Sequence, residues 1–174
     1  TGGTDTDGAG VASFSGFANV TGGSAIDTFT LGAASTANIA GGGSLDVLAL
    51  AGFTLTGSYA GGVAGGTITG IGSATITGPA TTTGVDGTSA NVSGNFTDVT
   101  SLTSSSGTGT LTGSNNASAW ALSGTGGTYT DGAGVASFSG FANLTGGSAI
   151  DTFTLGAAST AHIAGGGALD VLAL

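Results

Sequence analysis

Residues 125–174 repeat residues 1–50 at an offset of 124, with only four changes: Asp5 becomes Tyr129, Val20 becomes Leu144, Asn38 becomes His162, and Ser44 becomes Ala168. Self-similarity at a fixed period marks a stacked repeat architecture, in which a unit buries its apolar face only against its neighbours. The expected organisation is one full unit over residues 1–124, continuous with the start of a second, near-identical unit over 125–174. Both termini are then expected to lie inside a longer array.

A shorter period is nested inside the long one. ANVTGGSAIDTFTLG (residues 18–32) aligns with ANIAGGGSLDVLALA (residues 37–51) at an offset of 19. Ala18/Ala37, Asn19/Asn38, Gly22/Gly41, Gly23/Gly42, Asp27/Asp46 and Leu31/Leu50 are identical, and Val20/Ile39 and Phe29/Leu48 stay apolar. A weaker third copy follows, with Tyr59, Gly61, Gly62 and Thr67-Ile68-Thr69. The local pattern is that of strands. Thr28-Phe29-Thr30-Leu31, Val47-Leu48-Ala49-Leu50, Phe53-Thr54-Leu55-Thr56 and Thr110-Leu111-Thr112 alternate small or polar with apolar residues, the period-2 sign of a one-sided strand. Gly pairs between them suit tight corners.

Apolar residues three apart recur at Phe14-Phe17-Val20, Ile68-Ile71-Ala74, Phe96-Val99-Leu102 and Phe138-Phe141-Leu144. The intervening Gly, Ser and Thr are poor helix formers, so these runs are assigned to corners where the chain bends between two inward-facing strands. The fold class that follows is all-β, without significant helix: a parallel β-solenoid with coils of about 19–20 residues. Roughly six coils per unit at ~4.8 Å per rung would advance about 30 Å. Residues 79–90, around the lone Pro79, are expected to form a loop or an irregular coil.

Composition narrows the function. The chain has no Lys, Arg, Glu, Cys or Met, and its ionisable side chains are nine Asp, two Tyr and one His, for a net charge of −9. Nucleic-acid binding needs cations to neutralise phosphates, and adhesion to anionic lipid needs a basic patch; neither is available. No segment reaches the roughly twenty apolar residues of a membrane span, and no secretory leader pattern is present. Recurrent Phe, Val, Ile and Leu argue against disorder, and the lack of Cys excludes a disulfide scaffold. The charged partners to expect are cations. A Cys-free, Lys-free chain rich in Thr, Gly and Asn fits an extracellular bacterial product.

GGSAIDTFT (22–30) and GGGSLDVLA (41–49) resemble the calcium-binding nonapeptide of RTX proteins, G-G-x-G-x-D-x-U-x. Asp27 and Asp46, with their copies Asp151 and Asp170, would be the metal ligands that this resemblance implies, and calcium the cofactor. The fourth position departs from the family, being Ala25 and Ser44, and the next coil carries Gly66 where Asp would fall. The alternative is that each Asp caps its own turn by accepting backbone N–H bonds.

Thr-x-Thr pairs at Thr4/Thr6, Thr28/Thr30, Thr54/Thr56, Thr67/Thr69, Thr75/Thr77, Thr110/Thr112 and Thr128/Thr130 resemble the arrays of ice-binding solenoids. Val47-Leu48-Ala49 interrupts them, and Thr is also simply a β-favouring surface residue. Asn-x-Ser/Thr sequons such as Asn19-Val20-Thr21 arise readily by chance in such a composition; Asn19 and Asn38 are assigned to a side-chain ladder. Trp120 is assigned to the core. With one His and no nucleophile–base pairing, no catalytic residue is assigned and an enzyme is not expected.

SFSGFANLTGGSAIDTFTL followed by IAGGGALDVLAL resembles the repeat regions of large secreted bacterial β-strand-repeat adhesins, akin to filamentous haemagglutinin and RTX adhesins. The resemblance covers about half of each unit. It implies an extracellular or cell-surface stalk, spacer or filament whose partners are neighbouring repeats and like fibres. A calcium-binding module that folds on secretion is the second expectation, and ice binding the third.

Overall fold

The computed structural model describes residues 2–8 and 10–174, and among these there are strands, turns and bends but no helix. Nineteen strands form one mixed sheet. In chain order they are β1 (Gly2–Asp7), β2 (Gly10–Ser15), β3 (Asn19–Thr21), β4 (Asp27–Leu31), β5 (Asn38–Ala40), β6 (Asp46–Ala49), β7 (Tyr59–Ala60), β8 (Gly66–Ile71), β9 (Ala74–Pro79) and β10 (Val85–Ser89). They continue with β11 (Val92–Ser104), β12 (Thr110–Thr112), β13 (Ser118–Gly124), β14 (Gly126–Asp131), β15 (Gly134–Ser139), β16 (Asn143–Thr145), β17 (Asp151–Ser159), β18 (His162–Ala164) and β19 (Val171–Ala173).

The pairings resolve into two columns that share β11. The first runs β3, β5, β7, β11, β10, β9, β12, β16, β18. The second runs β2, β1, β4, β6, β8, β11, β15, β14, β13, β17, β19. Apolar side chains follow these columns from rung to rung. Ile39, Tyr59 and Phe96 are in register in the first; Phe29, Leu48, Ile68, Leu102 and Phe138 are in register in the second. All of these are buried. Apart from β11, which carries four buried apolar side chains, a strand presents few to the interior, so burial comes from stacking.

The spacing-of-three runs mark the crossings between columns. Phe96, Val99 and Leu102 are all buried within β11, and the strand turns there because Asn95 and Asp98 take φ of 72° and 55°. Asp98 secures the turn by accepting N–H bonds from Thr82 and Thr83 at 3.2 and 3.4 Å. Ile68, Ile71 and Ala74 make the equivalent inward corner between β8 and β9.

Three features differ from the sequence-based expectation. Parallel pairing is not uniform: β1, β10 and β14 run antiparallel to their neighbours. The rung offset is 19 or 20 from Val20 to Ile39 to Tyr59, but 37 from Tyr59 to Phe96, because a hairpin excursion intervenes. Residues 79–90, expected as a loop or an irregular coil, include a five-residue strand, β10, which pairs with both β9 and β11. Gly87 allows this close packing, for a Cβ there would overlap the Phe96 ring and the Thr75 carbonyl.

The hairpins change the length of a unit. Stepping from β4 to its counterpart β17 passes β6, β8, β11, β15, β14 and β13, which makes seven rungs rather than six.

Candidate functional site: a stacked aspartate ladder

Asp27, Asp46, Asp151 and Asp170, the residues singled out by the nonapeptide resemblance, are stacked in two pairs one rung apart. The Asp27 N–H donates to Asp46 Oδ1 at 2.8 Å, and the Asp151 N–H donates to Asp170 Oδ1 at 2.9 Å. The second carboxylate oxygen turns back on its own loop: Gly23 N–H donates to Asp27 Oδ2 at 2.6 Å and Gly147 N–H to Asp151 Oδ2 at 2.7 Å. Asp27 and Asp151 therefore close their own turns, while Asp46 and Asp170 accept across to the preceding rung.

This geometry explains the Gly-Gly-x-x-x-Asp spacing. At Gly23 and Gly147 the second Gly supplies the N–H. The first must lack a side chain, because a Cβ at Gly22, Gly41, Gly146 or Gly165 would overlap Oδ2 of Asp27, Asp46, Asp151 or Asp170 respectively. The carboxylate is seated where that Cβ would be.

Calcium requires six or more converging oxygens. Here the carboxylates are aimed at N–H hydrogens, and among the described residues no three His, Cys, Asp or Glu side chains converge as a metal centre needs. What the geometry supports is turn capping and rung-to-rung cross-linking.

The ladder is terminated by residues that the 19-residue period did not reveal. Gly66 lies in register with Asp46, and the Tyr59 hydroxyl fills the space a side chain there would need. That hydroxyl donates to the Asp46 carbonyl at 3.0 Å, and burial pushes its pKa up. At the other end, Ser118 in β13 lies in register with Asp151. Its N–H donates to Asp151 Oδ1 at 3.1 Å, its hydroxyl donates to the same oxygen, and Trp120 Nε1–H donates to the Ser118 Oγ at 2.9 Å. Asp131, next along, accepts from Ser114 Oγ at 2.6 Å and from Asn116 Nδ2 at 3.3 Å.

The first copy lacks such a Ser rung. β1 pairs directly with β4, placing Asp7 opposite Asp27 and Asp5 opposite Phe29. Asp5 Oδ1 and Asp46 Oδ2 are buried without a hydrogen-bond partner. Burial, followed by the charges of Asp27, Asp7 and Asp46, raises the Asp5 pKa; burial and then the Asp27 charge raise that of Asp46.

A carboxyl whose folded pKa is raised holds its proton more tightly when folded. Its contribution to stability is greatest below the unfolded value of about 3.9 and is lost as pH rises toward the folded value. Asp5→Asn is therefore expected to raise the urea midpoint at pH 7 and to shrink the fall in midpoint between pH 4 and pH 7. A variant that keeps the full fall would show that Asp5 is not its source.

The other sequence candidates fall outside this ladder. Asn38 Nδ2 donates to Asn19 Oδ1 at 3.1 Å, the side-chain ladder expected for that pair. His162 lies in register with Asn143 and, among the described residues, belongs to no cluster of three metal-ligating side chains. The Thr28/Thr30 and Thr67/Thr69 pairs are separated by the Val47/Ala49 rung, so their hydroxyls do not form an unbroken lattice. Compared with known proteins, the chain matches no family model, no curated protein and no solved structure.

Proposed function

We propose that the chain is a segment of a β-solenoid with a structural, non-enzymatic role: part of an extracellular stalk or filament, in the manner of a bacterial surface adhesin. The observation that carries this reading is repetition of register as well as of sequence. The pairings β3–β5 and β4–β6 recur as β16–β18 and β17–β19, each displaced by 124 residues. A unit that restores its own register after seven rungs extends along one direction without a limit set by its core. The absence of any cation among the side chains and the side-chain use of carboxylates as cross-links fit a scaffold better than a binding cleft.

Small-angle scattering of chains built from one, two and three complete 124-residue units tests it. The maximum dimension is expected to grow by a constant increment of about 34 Å per added unit, the seven-rung advance. Growth that levels off as in a compact particle would sink the reading.

A further inference from the structure

β9 and β12 run side by side only briefly. They pair at Leu111↔Ala74 and Thr112↔Thr75, after which β9 continues to Pro79 while β12 ends at Thr112. The chain then turns inward. Gly113 and Ser114 are buried, and a Cβ at Gly113 would lie 3.0 Å from the Trp120 ring and 3.2 Å from that of Tyr129. The Tyr129 hydroxyl accepts the Ser114 N–H at 3.0 Å, and Asp131 accepts the Ser114 hydroxyl at 2.6 Å. On the next rung the Gly146–Ser148 turn closes up, with Gly147 so near the Ser114 carbonyl that no side chain fits between them. The departure of β12 leaves an open groove of about 520 Å³ between the end of β9 and these two turns.

We propose that this groove binds a neutral saccharide. Thr75 and Thr77 of β9, Thr112 at the end of β12, and Asn115 and Ser148 on the two turns line it. Among the described residues none of these five side chains hydrogen-bonds within the chain, whereas the adjacent Ser114 and Asn116 are both committed to Asp131. Thr112 lies in register with Thr75, which sets the two one rung apart, at ~4.8 Å. The groove thus offers several uncommitted polar groups at fixed spacing on a rigid sheet.

The chemistry of the lining selects the ligand class. No ionisable side chain lines the groove, and the chain has no Lys or Arg with which to hold an anion. A cation finds no carboxylate there, since Asp131 and Asp151 are turned to the Ser114 hydroxyl and the Gly147 N–H. What remains is hydroxyls and one amide, groups that both donate and accept, set among Thr methyls and the bare backbone of Gly113, Gly146 and Gly147. A sugar is the complement, with hydroxyls at its rim and C–H faces between them. The volume falls within the roughly 300–1,000 Å³ of small-molecule sites. Thr75–Asn115 belong to the 1–124 unit and Gly146–Ser148 to the next, so the site is assembled where two units meet and is complete within this chain. It rests on the lining of the groove and not on the stalk reading.

The test is isothermal titration calorimetry of the full chain with four neutral sugars: cellohexaose, maltohexaose, mannohexaose and N-acetylchitohexaose. Saturable one-to-one binding of at least one is expected, unchanged by a chelator. Thr75→Val combined with Thr112→Val keeps the side-chain shape and removes both hydroxyls, and is expected to weaken binding at least tenfold. Ser148→Trp fills the groove from an exposed position and is expected to abolish it. Thr28→Val, on β4 in the other column, is expected to leave the affinity unchanged; circular dichroism verifies that each variant keeps the fold. Absence of saturable binding by all four sugars, binding indifferent to the groove variants, or binding lost in chelator would overturn the proposal. None of these outcomes alters the scattering expected of a stalk, so the two readings fail separately.

Discussion

Trp120→Ala is expected to destabilise the chain by about 3–5 kcal/mol, the range for truncating a buried Trp or Phe, measured by urea denaturation followed by circular dichroism. Trp120 is 1% exposed and lies between three rings. Its centroid is 4.7 Å from Tyr129 and 5.6 Å from Phe138, both edge-on, and 5.3 Å from Phe153, stacked at 19°. Removing the indole opens a cavity bounded by aromatic faces that the surrounding strands, fixed by their ladders, cannot close.

It also removes the N–H that orients the Ser118 hydroxyl toward Asp151, so packing and polar losses fall together. Trp120→Phe separates them, keeping most of the ring contacts and losing the hydrogen bond, for a cost nearer 1 kcal/mol. The damage should be local. Rungs interact chiefly with their nearest neighbours, so amide exchange is expected to accelerate in β14, β15 and β17 while β4 and β6 stay protected. A loss under 1 kcal/mol for the Ala variant would mean that this aromatic cluster does not hold β13 in place.

The rungs were legible in the sequence wherever nothing interrupts the 19-residue period. Asn19/Asn38, Val20/Ile39, Phe29/Leu48 and Asp27/Asp46 are rung partners in the structure, and each pair was visible as an alignment. The period was lost where the chain leaves the stack to form a hairpin. Ser118 and Asp151 are 33 residues apart and share no motif, so the partner that completes the Asp151 site had no local signal. Tyr59 was visible as an aromatic residue in a degenerate third copy, but its role depends on a hydroxyl reaching across to the Gly66 position. The antiparallel strands were illegible for a simpler reason: alternation fixes which face a residue occupies and is blind to strand direction.

One of the four differences between the copies, Asp5 against Tyr129, also acquires physical content from its neighbours. Tyr129 is buried against Trp120, and its hydroxyl accepts the Ser114 N–H at 3.0 Å. Asp5 stands at the same point of the same hairpin, whose register is reproduced from Gly2↔Ser15 to Gly126↔Ser139. There β4 takes the place that β13 holds beside β14. An aromatic residue suits the position when a Trp rung is adjacent. A carboxylate there faces Asp27 and Asp7 instead, which is why its proton is held more tightly.

Asp151→Ala carries the second large effect, about 3 kcal/mol or more, because three donors lose their acceptor at once. The Ser118 N–H, the Ser118 hydroxyl and the Gly147 N–H all converge on this carboxylate, and hydrogen bonds to a charged group contribute roughly 1.5–3 kcal/mol each, not additively. Asp151 is 0% exposed, so water cannot substitute without the rung opening. Asp170→Ala makes the matched control. Among the described residues that carboxylate accepts only the Asp151 N–H, so its loss should cost about 1 kcal/mol.

Asp151→Asn discriminates further: its Oδ1 keeps the Ser118 bonds, while its Nδ2 would confront the Gly147 N–H with a second donor, predicting an intermediate loss. If the carboxylates serve as cross-links, these losses are the same in calcium and in chelator. Equal losses at Asp151 and Asp170, or a loss that appears only when calcium is present, would instead assign the ladder to a cation.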